Sequence, residues 1–192
     1  MYKRQILGHS ENYEFFKFVP VENLTTGHFL AVIGLPFYFA GYIHIYRMLR
    51  SGNEFLARLV LAIGFVAFAV GGIWIGSRAS IGNIIHLKDV IEPSIYQNLL
   101  AHYTEHMEVL VEVLRVVIVL LSIVFVIAIL KGGTYYKKWM AIFNPIVILV
   151  LVFSTLFWAE GLAKHLAPIA MNVTHFILFG LSLYQLSKLN KN

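Results

Sequence analysis

The chain has 192 residues, 59% of them hydrophobic and only 13% charged, with a formal net charge of +5 and no cysteine. A soluble domain carries about 25% charged residues, so a water-soluble fold of this size could not hide the apolar surface. Without thiols there are no disulfides, Cys-ligated zinc sites, iron–sulfur clusters or thiol nucleophiles. The mean hydropathy of +0.75 suits a bilayer. Lys and Arg are scattered among the segments flanking apolar runs, which fits membrane anchoring better than a nucleic-acid groove.

The N-terminal stretch MYKRQILGHSENYEFFKF starts basic but has no apolar run behind it. No cleavable signal peptide is expected, and the first span serves as the insertion signal. The aromatic segment Tyr13–Phe18 is expected to lie along the outer interface, being too short and too charged to span. Five apolar runs follow, each near the roughly 20 residues that cross a bilayer. They cover 27–49, 55–77, 109–130, 139–158 and 167–186. Their continuity predicts helices, since barrel strands would alternate over about ten residues. The expected fold is an all-α polytopic transmembrane bundle, residues 1–192 forming one integral membrane domain of five spans.

Ser51-Gly52-Asn53 separates the first two runs, Glu92-Pro93-Ser94 precedes the third, and Gly132-Gly133 ends it. Pro168 opens the fifth. Pro36 and Pro145 are expected inside spans one and four, each kinking its helix. Gly27, Gly34 and Gly41 form one small-residue stripe and Gly72 and Gly76 another, both read as close helix contacts. Basic residues crowd the first and third loops and the tail (Arg47, Arg50, Arg58, Lys131, Lys137, Lys138, Lys188, Lys191). By the positive-inside rule the N-terminus lies outside and the C-terminus in the cytoplasm, in the inner membrane. The segment 78–108 is then extracytoplasmic, and a sixth span within it would overturn this topology.

With that orientation, every histidine but His44 falls toward the outer half, together with glutamates that flank three spans. Ionisable groups within lipid are costly and face a bundle interior or a water-filled cavity, so the expectation is a polar pocket open to that side. His102-Tyr-Thr-Glu105-His106 has the H-x-x-E-H spacing of inverted zinc peptidases. On a helix His102 and His106 stand one turn apart and can share zinc or another divalent metal, with Glu105 as a base. His86, Glu112, His165 and His175 are candidates for a third ligand. The plainer reading is an amphipathic turn in water or among headgroups.

Glu108, Glu112 and Arg115 share one stripe of the third helix. They form either a buried ion pair holding the bundle together or a proton-transfer group, Glu112, tuned by Arg115. Glu160, His175 and Asn172 are expected to join from facing helices. Glu105, Glu112, Glu160 and His175 are thus candidate catalytic residues, and Arg115, Asn172 and Arg78 candidate substrate contacts. Trp74, Trp158 and Trp139 read as interfacial anchors.

The aromatic-basic entry Tyr136–Trp139, the Asn144-Pro145 pair, Asn172 early in the last run and the Gly-rich GHFLAVIGLPFYFAGYIHIYRML are points of likeness to known sequences. Through them about half the chain resembles a family of bacterial multi-pass membrane proteins of unknown function. That resemblance implies a helical bundle and no particular activity; the His102–His106 region has no counterpart in it.

Two function classes fit the residues. One is an intramembrane enzyme acting on a lipid or isoprenoid by metal-assisted or acid–base chemistry, with membrane lipids as its surroundings and no nucleic-acid partner. The other is a proton- or cation-coupled transporter or channel component. Against transport, polar residues do not continue toward the cytoplasmic half, and no inverted repeat is visible. Haem between helices is disfavoured, because only His44 and His175 lie clearly within spans.

Overall fold

Breakers and caps decide where these helices stop. In a computed structural model of the chain, which describes residues 13–166 and 169–189 (for 160, 163 and 164 the backbone only), all regular structure is helical. A 3-10 turn at Glu14–Phe18 leads into α1 (Val21–Leu49), α2 (Glu54–His86) and α3 (Pro93–Leu130). A second 3-10 segment, Lys138–Phe143, precedes α4 (Pro145–Trp158), α5 (Glu160–Leu166) and α6 (Ala170–Leu189). Gly132 and Gly133 end α3 in left-handed backbone, at φ 84° and 73°, a conformation that costs glycine little. Asn53 caps α2 by accepting from the Leu56 amide at 2.9 Å.

Among the described residues three helices, α1, α2 and α3, are long and apolar enough to cross a membrane. They contain 29, 33 and 38 residues. At 1.5 Å per residue they measure about 44 to 57 Å, against about 30 Å of hydrocarbon. These helices run on past the expected spans 27–49, 55–77 and 109–130. Hydropathy marks where a helix stops being apolar, but the backbone ladder continues through polar residues until a breaker intervenes. Pro93, which fits a first helical turn, opens α3 well before the apolar run begins. Segment 78–108 holds the end of α2, a turn and the start of α3, so no separate sixth helix lies there.

The expectation of a kink at Pro145 needs correction. Pro145 does not kink a helix over 139–158; it starts one. A residue before proline is pushed out of the helical region, and Asn144 is extended, at φ −73° and ψ 159°. Its Oδ1 accepts from the Val147 amide at 3.2 Å, so Asn144-Pro145 is a cap followed by a first turn. The Ile146 amide, which has no partner within its own helix, donates to Ser122 Oγ at 3.1 Å. The resulting α4 has 14 residues, about 21 Å.

The chain divides into two compact units, one built from the chain up to Pro36 with Phe68–Arg115, the other from Phe37–Ala67 with Val116–Asn192. In the first, Tyr13, Phe16, Leu24, Ile81, Ile84, Ile85, Tyr96 and Met107 form the core. Of the aromatic residues in Tyr13–Phe18, Tyr13 and Phe16 are buried and Phe18 is left largely open. Two exposed ion pairs staple this arm, Lys88–Glu14 at 3.1 Å and Lys17–Asp89 at 3.4 Å.

In the second unit α6 is polar inside and apolar outside. Thr174, His175 and Ser182 are 0% exposed, whereas Phe176 is 81% exposed. Water would favour the reverse; hydrocarbon favours this arrangement, because a polar group facing lipid has no hydrogen-bond partner. Of the glycine stripes, Gly41 packs under Phe179, Gly72 under Leu35 and Gly76 under His28, while Gly27 faces open space and departs from its expected role.

The loop at Gly52 packs against the backbone of Gly132 and Thr134. A Gly52→Ala methyl would press on a carbonyl oxygen and an amide, neither of which can rotate away. We expect it to cost about 1–3 kcal/mol. Gly180 in α6 has open space at its Cβ position, so Gly180→Ala should be neutral or gain up to about 1 kcal/mol. Thermal unfolding of both variants in detergent measures the contrast.

Candidate functional site

The deepest polar centre joins α1 to α6 in the second unit. Tyr38 and Tyr42 lie one turn apart on α1, and Asn172 and His175 nearly one turn apart on α6. Tyr38 donates its hydroxyl to Asn172 Oδ1 at 2.5 Å. His175 Nδ1 lies 2.8 Å from the Met171 carbonyl, which can only accept, so Nδ1 carries the proton. In the neutral ring Nε2 is then an acceptor, and the Tyr42 hydroxyl donates to it at 2.8 Å. Phe179 packs edge-on against Tyr42, 5.5 Å between centroids. Both imidazole nitrogens are engaged, which makes His175 a helix-joining group first. Farther along α6, Tyr136 and Ser182 share a hydroxyl contact at 2.5 Å, and Gln185 Oε1 accepts from the Lys137 amide at 3.0 Å. Thr174 Oγ1 and Gln185 Nε2 have no partner among the described residues.

Among the described residues the proposed metal ligands are not brought together. His102, Glu105 and His106 sit on the exposed surface of α3. His86 donates Nε2–H to the Val19 carbonyl at 2.9 Å and so anchors the arm. His165 is exposed on α5 in the other unit. Among the described residues no three His, Asp or Glu groups are placed to hold one ion. Glu112 and Arg115 do pair, as their spacing allows, but on an exposed surface and not as a buried clamp. Such a pair contributes little stability in water, although mutual neutralisation lowers the cost of approaching lipid. The Glu160 carboxylate lies outside the described residues.

Arg78 has a different setting. It is partly buried on α2, with its guanidinium carbon 5.1 Å from the Trp74 ring centroid and 5.8 Å from that of Phe16. Trp74 is one turn away on the same face, and its buried Nε1–H has no acceptor among the described residues. No described carboxylate pairs with Arg78, whereas Lys17, Lys88 and Arg115, the other described Lys and Arg residues of this unit, each have one. Tyr13 completes the surroundings from a left-handed backbone, φ 51°, that is uncommon for a side chain of its size. Burial pushes its phenol above the ordinary range, the Glu108 carboxylate adds to the rise, and Arg78 opposes it. The phenol is therefore a proton donor at neutral pH.

Sequence reasoning named Arg78, Asn172 and His175 but missed Tyr38, Tyr42, Tyr13 and Phe16, and read Trp74 as an anchor only. The four-residue spacings Tyr38/Tyr42 and Trp74/Arg78 were the available signals. Tyr42→Phe takes away the donor facing a buried Nε2. We expect a loss of about 1–3 kcal/mol, and a smaller loss for Tyr38→Phe at the more open position. The unfolding midpoints of the two variants in detergent test that order.

No curated protein and no solved structure matches the chain. A family model does match, over residues 7–189, described as a family of unknown function, DUF6796. By that match, which covers nearly its whole length, the chain belongs to this family of unknown function.

Proposed function

We propose that this membrane-embedded chain, residing in the cytoplasmic membrane, binds a lipid-like amphiphile by an anionic headgroup held at Arg78. The observation that carries the reading is a partly buried guanidinium with two aromatic neighbours and no carboxylate paired with it among the described residues. Magnitudes favour this centre over the others. A neutral buried group without a partner, such as Thr174 Oγ1, costs about 1–3 kcal/mol. Removing a cation from water costs several kcal/mol, and a cation–π contact returns only about 0.5–2. A headgroup oxyanion would supply the missing counter-charge and an acceptor for Trp74 Nε1.

Chemical action on the bound amphiphile is the wider form of this reading, with Glu105, Glu112, Glu160 and His175 as its candidate groups. Binding is the form the geometry supports best, because His175 is committed at both nitrogens and the described glutamates stand on an exposed face. Metal assistance is not part of it, since His102 and His106 gain no third described ligand.

The test is titration of the purified protein in uncharged detergent with phosphatidylglycerol and, separately, phosphatidylcholine, read by native mass spectrometry. Phosphatidylglycerol should bind preferentially. Arg78→Gln should weaken it about tenfold or more, as expected for losing a charge-assisted contact, and Arg78→Lys should retain part. Equal binding of both lipids, unchanged in Arg78→Gln, would defeat the reading.

A further inference from the structure

We infer that the headgroup accepted at Arg78 is a singly charged oxyanion, a carboxylate or a phosphodiester, and not a phosphomonoester or diphosphate. The inference rests on the Arg78 reading above and narrows it to a ligand class.

It follows from the charges around the guanidinium. Arg78 is the one cation there without a described carboxylate; Lys17 and Lys88 of the adjoining arm and turn are held by Asp89 and Glu14. The Trp74 indole N–H and the Tyr13 hydroxyl are neutral donors. They can orient an oxyanion but cannot neutralise a second charge. Glu108 adds the opposite influence. It has no ion-pair partner among the described residues, and its field at Tyr13 outweighs that of Arg78. A second negative charge on the ligand would meet no second described cation and would be repelled by that carboxylate. Among the described residues, one cation, two neutral donors and one carboxylate acting on Tyr13 therefore match one negative charge. The ligand's apolar part would lie along neighbouring lipid-facing surface, of which Ile73, 56% exposed, is an example.

The experiment compares four probes in uncharged detergent at mildly alkaline pH, where a phosphomonoester is doubly charged. They are oleate, phosphatidylglycerol, phosphatidic acid and farnesyl diphosphate, titrated into a Trp139→Phe/Trp158→Phe protein so that Trp74 reports alone. At least one of the two monoanions should bind about tenfold more tightly than either multiply charged probe, and the better of them distinguishes carboxylate from phosphodiester. Glu108→Gln, a change at an exposed position, should narrow the gap by raising affinity for the multiply charged probes. Arg78→Lys should keep the order, which guards against misreading a folding defect in Arg78→Gln. Should phosphatidic acid or the diphosphate bind as tightly as the monoanions, with that binding lost in Arg78→Gln, the single-charge inference fails and the headgroup site survives. If no probe shows Arg78-dependent binding, both readings fail.

Discussion

The hydrogen bond from Tyr42 to His175 is the contact on which the second unit depends. A helix carrying Thr174, His175, Ser182 and Gln185 on one face cannot turn that face toward hydrocarbon. It must find partners inside: Tyr42 of α1 meets His175, and Tyr136 and the Lys137 amide meet Ser182 and Gln185. Phe176 is then free to face outward. The Met171 carbonyl selects the tautomer, the tautomer makes Nε2 an acceptor, and the acceptor calls for a hydroxyl at position 42. The orientation of α6 thus follows from the proton position on one imidazole.

The first unit is organised by charge. Its arm is pinned by exposed ion pairs and by His86, while its core is aromatic and aliphatic. Exposed pairs contribute little individually, so burial of Tyr13 and Phe16 gives the arm its position and the pairs set its register. Glu14 also holds the Lys88 ammonium above its ordinary range through their hydrogen bond, which keeps that charge committed. The consequence is that Phe16 is brought over Arg78 from a part of the chain distant in sequence.

Helix class was legible from composition alone, and several helix ends could be read from single residues: Gly132-Gly133 stopped α3, and Pro93 started it. Helix length was not legible, because apolarity and helicity end at different places; His102 and Glu108 belong to the same helix as Leu130 although hydropathy separates them. Pro145 was misread because an apolar run hides an interruption of the backbone, and only the extended Asn144 reveals it. Spacing showed that His102 and His106 could share a ligand, but a third ligand depends on tertiary placement. For the same reason the Trp74/Arg78 pair was visible in sequence and its enclosure by Tyr13 and Phe16 was not.

The two polar centres differ in one respect that decides which invites a ligand. Around His175 the donors of Tyr38, Tyr42 and the imidazole each meet an acceptor of the same protein, and the residues concerned are neutral. Around Arg78 the described groups are donors in excess, and one of them carries a full charge. A neutral pair that closes on itself gains nothing from a visitor and joins helices. A desolvated cation remains costly until an anion arrives, and the aromatic rings beside it reduce that cost without removing it. In a chain with this much exposed apolar surface, the anion most readily at hand is one already attached to a hydrocarbon tail.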